Sequence, residues 1–299
     1  MTIRFDGRVA IVTGAGGGLG RQHALALAAR GAKVVVNDLG SASDGAPSAA
    51  QAVVDEIRAA GGVAMANDAS VTDNAAVQAM VSAAMAEWGR IDILVNNAGI
   101  LRDKSFTKME IADFRLVVEV HLMGAVHCTK AVWDIMRAQS YGRIVMTTSS
   151  SGLYGNFGQS NYSAAKMALV GLMQTLSIEG AKNDIRVNCL APTAATRMTE
   201  NLMPAAVLKL LEAGAVTPGL LALVAEDAPT RAILCTGAGA YERAHITLTE
   251  GRFIGQPADA AEQVVLHWDA IADRTGETVP ASGTAQGTLE IGKATRAVG

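Results

Sequence analysis

The sequence predicts an α/β protein built on one parallel sheet with helices on both faces. Three observations carry that prediction. Short β-branched runs alternate with helical patterns along most of the chain, every connection between runs is long enough for a crossover, and the first run, at 8–13, stops at a cluster of glycines that opens a helix. Parallel strands buried on both faces read as unbroken apolar runs, and each needs a crossover segment before the next can pair.

RVAIVT at 8–13 is the first strand, and Gly14, Ala15, Gly16, Gly17, Gly18, Leu19 and Gly20 lead from it into the alanine-rich helix RQHALALAARG. Glycine lets the backbone turn sharply and approach a ligand, while the helix behind offers free amides and its positive dipole end to a phosphate. A dinucleotide pyrophosphate fits such a turn, which makes Gly14, Gly16, Gly18, Leu19 and Gly20 candidate cofactor residues. KVVVN at 33–37 is the second strand, and Asp38 stands at its C-terminal end. A carboxylate there accepts hydrogen bonds from ribose hydroxyls and repels a 2′-phosphate, so it favours NAD over NADP. A helix over 49–60 and a strand over 63–66 follow, and Asp68 then either edges the adenine or caps the next helix. That helix, 74–88, carries apolar positions at Val77, Met80, Val81 and Ala84. IDILV at 91–95 is the fourth strand, ended by Asn96, Asn97, Ala98 and Gly99. Small residues there leave room for a nucleotide, and an amide can tie neighbouring strands together.

A long helix over 113–137 carries His121 near its middle, and the next strand, 143–146, leads to Ser149 in a Thr/Ser run. Open α/β sheets place functional groups at the C-terminal ends of their strands. A helix from 161 to 179 holds Tyr162 and Lys166 four residues apart, on one face. A free phenol titrates near 10, roughly, and a neighbouring ammonium stabilises the phenolate, which makes Tyr162 a candidate proton-transfer residue. IRVNCL at 185–190 is a further strand, ended by Ala191, Pro192 and Thr193. The region 196–218 reads as helix and loop, with Met198 and Met203 as candidates for an apolar lining. A helix over 217–225 and a last strand near 241–248 close the sheet. The expected organisation is one domain over 1–255 and a helical extension over 256–299, packed on the same domain or on a partner subunit. The final ~15 residues are expected to be poorly ordered unless a partner subunit holds them.

Composition narrows the functions. A net charge of −3 with 18% charged residues leaves no basic field, and 4% aromatic residues offer little for base stacking, so no nucleic acid partner is expected. Cys128, Cys189 and Cys235 show no metal-ligand spacing and read as reduced thiols, so no metal is expected. No apolar run reaches the roughly 18 residues of a membrane span, and the N-terminus lacks the pattern of a secretory signal. The expected location is cytoplasmic.

TGAGGGLG at 13–20, Asp38, NNAG at 96–99, Ser149 and Tyr162 to Lys166, in that order, resemble the short-chain dehydrogenase/reductase family over about residues 5–255. The resemblance implies a Rossmann-type doubly wound parallel sheet and hydride transfer between a secondary alcohol and NAD. It makes Tyr162 the general acid/base, Lys166 the group that lowers its pKa and holds the nicotinamide ribose, and Ser149 the partner of the substrate oxygen. It adds Asp68, Asn97, Ala98, Gly99 and Pro192 to the cofactor residues. VVVNDLG at 34–40, NNAGILRDKSF at 96–106, SGLYGNFGQSNYSAAK at 151–166 and APTAATRMTENLMP at 191–204 are similar to the multifunctional-enzyme branch that acts on (3R)-hydroxyacyl-CoA. The wider family carries asparagine in the long helix where this chain, like that branch, has His121, which leaves its part in a proton relay open. The implied substrate is an acyl-CoA, with a 17β-hydroxysteroid, a 3-oxoacyl thioester on acyl carrier protein, or a non-catalytic NAD-binding scaffold as alternatives. Arg102, Lys104 and Lys108 are either CoA phosphate contacts or solvated surface charges. Pairing through the two long helices implies a homodimer, with a homotetramer as the alternative.

Overall fold

A five-residue run such as VAIVT, β-branched and without a polar face, is stable only where both sides of the strand are covered. In the computed structural model, which describes residues 2–40, 47–194 and 205–298, all five residues of that run are buried. Met198 and Met203 lie outside the described residues. The strands are β1 Val9–Thr13, β2 Lys33–Asn37, β3 Val63–Asn67, β4 Ile93–Asn96, β5 Gly142–Thr147, β6 Ile185–Pro192, β7 Ile233–Gly237 and β8 Ala240–Ala244, in spatial order β3-β2-β1-β4-β5-β6-β7-β8. From β3 to β7 every pair is parallel. The order reverses between β1 and β4, so the crevice beyond their C-terminal ends is the place where such a sheet takes a ligand.

The crossovers are α1 Gly18–Ala29, α2 Ala49–Ala59, α3 Asn74–Trp88, α4 Ile111–Val118, α5 Gly124–Gln139, α6 Ser150–Tyr154 and α7 Ser160–Gly180. Ala10, Val12, Val34, Val36, Ile93 and Val95 pack one sheet face against Ala24 and Leu27 of α1 and Val53, Val54 and Ile57 of α2. Asp73 caps α3 by accepting from the Ala75 and Ala76 amides at 2.9 and 3.1 Å. That removes capping as a role for Asp68, which is exposed one turn of chain earlier.

Three expectations change. The long helix expected over 113–137 is α4 and α5 joined by one π turn, Glu119–Met123, with His121 at its centre. The sheet holds a strand that was not expected, β7, between β6 and the edge strand β8. Ile233 and Thr236 of β7 are buried, and its register sets Cys189 opposite Ile233. The last strand expected near 241–248 is β8, which ends four residues sooner and is mostly exposed at the sheet edge. The tail is also helical, over Gly283–Val298. Gln286 to Glu290 and Thr288 to Thr284 hydrogen bonds support its turns, and Lys293 Nζ donates to the Glu250 carbonyl.

The chain divides into two compact units, Met1–Arg243 and Ala244–Gly299, where the sequence placed the division after residue 255. The second unit holds helices Ala260–Leu266, Trp268–Ala272 and Gly283–Val298 and a bridge between Leu248 and Thr278. None of its described residues is buried.

Candidate active site

At the end of β1 the chain turns through Gly14, whose φ of +62° lies where glycine is favoured. A Cβ at Gly14 would stand 2.8 Å from Ala98 Cα, and one at Gly20 would stand 2.2 Å from the Gly14 carbonyl oxygen. The turn can therefore close only on glycine. Helix α1 then starts with no side-chain cap and no acidic residue in its first turn, so its amides remain available to an anion. Asp38 lies against this turn: Gly16 N donates to its Oδ2 at 2.8 Å and Gly40 N to its Oδ1 at 3.0 Å. The cradle and free helix end offer donors to a pyrophosphate and the adjacent carboxylate offers acceptors to ribose hydroxyls, so the residues present fit a dinucleotide. Leu19 is half-buried against the core behind the turn.

Asn97 Nδ2 donates to the carbonyls of Thr13 and Gly14 at 2.9 and 3.1 Å. Thr13 Oγ1 accepts from the Asn97 and Ala98 amides, each at 3.0 Å. These bonds fasten the C-terminal ends of β1 and β4 at the switch point. Thr13 was absent from the sequence-derived candidates; a hydroxyl directly before the first glycine was the signal for it. Gly99 is required by its neighbour, since a Cβ there would meet His121 Cε1 at 2.3 Å.

Strand β5 delivers Ser149, which is buried and caps α6 by accepting from Ser151 N at 3.2 Å. The Tyr162 phenol, presented from the first turn of α7, has the Ser149 hydroxyl as a neighbour that favours its ionised form. Lys166, one turn on, is buried and donates through Nζ to the Thr147 carbonyl at 2.5 Å, with the ammonium 5.5 Å from the Tyr162 ring centroid. Gly152 lets α6 sit on α7, because a Cβ there would lie 2.8 Å from Lys166 Cβ. His121 faces the same ring edge-on, with centroids 5.2 Å apart. Its Nε2 lies 2.8 Å from the Ile100 carbonyl oxygen and 3.1 Å from the Ile100 amide, and its buried Nδ1 has no hydrogen-bond partner among the described residues.

Burial dominates the electrostatics. It pushes Lys166 down to about 7, since the neutral Thr147 carbonyl is a weak counterpart for an ammonium. It raises Tyr162 above its ordinary value, while the Ser149 hydrogen bond pulls the other way and the Asp103 carboxylate adds to the rise. Lys166 is expected from the sequence to lower Tyr162; in the folded chain the opposing pull on the phenol comes from Ser149 instead, and desolvation outweighs it. Burial, reinforced by Lys166, takes His121 down to about 3, so the imidazole is neutral at physiological pH.

The structure thus brings Ser149, Tyr162, Lys166 and His121 together beside Gly14, Gly16, Gly18, Gly20, Asp38, Asn97, Ala98 and Gly99. Pro192 ends β6 opposite Thr236. Arg102 and Lys104 turn to Asp113, at 3.9 and 3.0 Å, and Lys108 is exposed. Among the described residues no cluster of His, Cys, Asp and Glu could hold a metal ion, and no helix is long and apolar enough to cross a membrane.

Residues 8–206 match the family model for short chain dehydrogenases. The chain is 46% identical over 300 aligned positions to peroxisomal multifunctional enzyme type 2 of Drosophila melanogaster, covering 96% of this chain and 50% of that protein. The solved full-length structure of that fly enzyme superposes with a TM-score of 0.80 over 98% of this chain and 51% of its own, at 40% identity. A second relative, the peroxisomal hydratase-dehydrogenase-epimerase of Saccharomyces cerevisiae, is 47% identical over 91% of this chain and 31% of its length. The chain therefore spans half or less of the length of these two curated relatives. A 7α-hydroxysteroid dehydrogenase structure with NADH and a bile-acid ligand superposes with a TM-score of 0.71 at 31% identity, covering 79% of this chain and 95% of the other.

The expected cytoplasmic location is corrected by these names, because both curated relatives are called peroxisomal. Reduced thiols and the lack of a secretory pattern suit any compartment entered without an N-terminal secretory signal, so those features could not select the cytoplasm. With its family-model match, its parallel sheet and its Ser-Tyr-Lys grouping, the chain belongs to the short chain dehydrogenases, oxidoreductases that act on CH–OH groups with a nicotinamide cofactor.

Proposed function

We propose that this protein oxidises the 3-hydroxyl of a (3R)-hydroxyacyl-CoA to the 3-oxoacyl-CoA with NAD. The observation that carries the reading is the meeting of Ser149, Tyr162 and Lys166 beside a turn that only glycine can close. Gly14, Gly16, Gly18, Leu19 and Gly20 would hold the pyrophosphate at the start of α1. Asp38 would exchange its bonds to Gly16 and Gly40 for ribose hydroxyls, and its charge disfavours a 2′-phosphate. Asn97, Ala98, Gly99 and Pro192 would flank the nucleotide. The cofactor, when bound, accepts the hydride.

The chain's own residues handle the proton. Ser149 steadies the substrate oxygen, and Tyr162 takes the hydroxyl proton as the carbinol is oxidised. Lys166, already poised near neutrality by burial, supplies positive charge to the ribose and the phenolate. His121 stays neutral, held through Nε2 by Ile100, and meets the Tyr162 ring edge-on.

The yeast relative's name pairs a hydratase with a dehydrogenase, which suits a secondary alcohol formed by hydration of a double bond and then oxidised, as a 3-hydroxyacyl group is. Hydroxysteroid oxidation is the second reading, favoured by the superposition on a hydroxysteroid dehydrogenase. A homodimer, or a pair of dimers, through α4–α5 and α7 suits the exposed Leu116, Met167 and Ile178 on those helices.

The decisive assay follows reduction of NAD and NADP, at equal concentrations, with (3R)- and (3S)-hydroxyacyl-CoA of several chain lengths and with hydroxysteroids. Turnover of the (3R) series with NAD is expected, and Tyr162→Phe should lower it by about 10²–10⁴-fold. Turnover of the (3S) series alone, or of steroids alone, overturns the substrate assignment, and a preference for NADP overturns the role of Asp38.

A further inference from the structure

The segment leaving β4 is fastened to α7 by hydrogen bonds that the proton transfer described above does not use. Asn161, directly before Tyr162, has no solvent exposure. Its Nδ2 donates to the Arg102 carbonyl at 3.0 Å, and its Oδ1 accepts from the Tyr162 amide at 2.7 Å. Two more bonds join the same pair of segments, Lys104 N to the Gly158 carbonyl at 2.9 Å and Gln159 Nε2 to Asp103 Oδ2 at 2.7 Å. At its other end the segment meets His121 through Ile100. Residues 100–104 thus bridge the π turn and the start of α7, and Asn161 is the fully buried side chain in that bridge.

The first turn of a helix is its least constrained part, because its amides lack intrahelical partners. Tyr162 lies in that turn of α7, and Gln159 provides no side-chain cap. A phenol that must meet Ser149 and a substrate oxygen at hydrogen-bond distance tolerates little drift. Asn161 supplies the missing restraint, since one end of its amide grips the helix and the other grips the segment across the cleft.

We propose that Asn161 is a positioning residue for Tyr162, anchoring the first turn of α7 to the Arg102 carbonyl and so holding the phenol against Ser149. The inference rests on Tyr162 being the proton-transfer group. Asn161→Asp keeps the acceptor for the Tyr162 amide, removes the donor to Arg102 and adds a negative charge near the phenol. Asn161→Ser is the milder truncation, too short to reach Arg102, and serves if the first variant does not fold. Both are compared with wild type and Tyr162→Phe for kcat and KM across the pH range in which Tyr162 titrates, with melting temperature and NADH affinity measured alongside.

The expected result is a kcat lowered by about 10²-fold in either variant with NADH affinity unchanged. In Asn161→Asp the rising limb of the oxidation profile should also move to higher pH, because the added charge opposes the phenolate. A lower melting temperature with kcat and its pH profile unchanged overturns the proposal and leaves Asn161 a purely structural residue. Should Tyr162→Phe turn over like wild type, the proton-transfer reading itself fails. Should Tyr162→Phe be inactive while both Asn161 variants match wild type, only the positioning role fails.

Discussion

Lys166 has traded solvent for a single neutral carbonyl, and its folded pKa of about 7 lies well below the roughly 10.4 of an unfolded lysine. Between those values the unfolded chain binds more protons, so stability without cofactor should rise with pH across that window and flatten above it. The Lys166 contribution between pH 7 and 9.5 is about 3 kcal/mol. Urea unfolding at those two pH values should show the rise in wild type and a rise smaller by that amount in Lys166→Met, which should also lose turnover. Asp103 is a second lever on the same site. Its carboxylate raises Tyr162, so Asp103→Asn should move the rising limb of the oxidation profile to lower pH, measured as kcat against pH. At this scale the identities of Tyr162, Lys166 and Ser149 were legible, because spacing on one helix and position after one strand are local properties. The direction of the Tyr162 shift was not, because it depends on burial by residues from other elements.

Among the elements, the β1 turn and the π turn shape the site most directly. Gly20 faces the Gly14 carbonyl so closely that any side chain must open the turn, so Gly20→Ala should weaken NADH binding by about tenfold or more, read by fluorescence titration. The glycine turn was legible since its signal is contiguous in the chain. The π turn was not: EVHLM reads as ordinary helix, and the inserted residue is visible only once His121 is fitted beneath Gly99. Strand β7 was missed for a similar reason. ILCTG is short and only partly apolar, and it is a strand because β6 offers it a parallel edge.

Across the whole molecule, charged and titratable groups are buried far from the cleft as well as in it. Arg143 has no exposure, yet its guanidinium donates to the carbonyls of Gly142, Asp184, Ala225 and Glu226 and to the Asp184 carboxylate, and lies 4.1 Å from the Tyr141 ring centroid. His23 of α1 is buried against Thr217, bonded to the Thr217 hydroxyl at 3.0 Å, and burial takes it down to about 3. Its folded pKa lies below the unfolded value of roughly 6.5, so stability should fall as pH drops through the interval between them. For His23 the loss from pH 6.5 to 4.5 is about 2 kcal/mol, and chemical unfolding at those two values should show that share missing in His23→Gln. The sequence by itself determined the parallel sheet, the glycine turn and the Tyr162–Lys166 pair, because periodicity, glycine clusters and helical spacing act between near neighbours. Only the tertiary structure decided the neutral state of His121, the depressed lysine, the hold of Asp38 on Gly16 and the Asn161 bridge to Arg102. Each of those is set by groups distant in the chain, and by the water that their packing excludes.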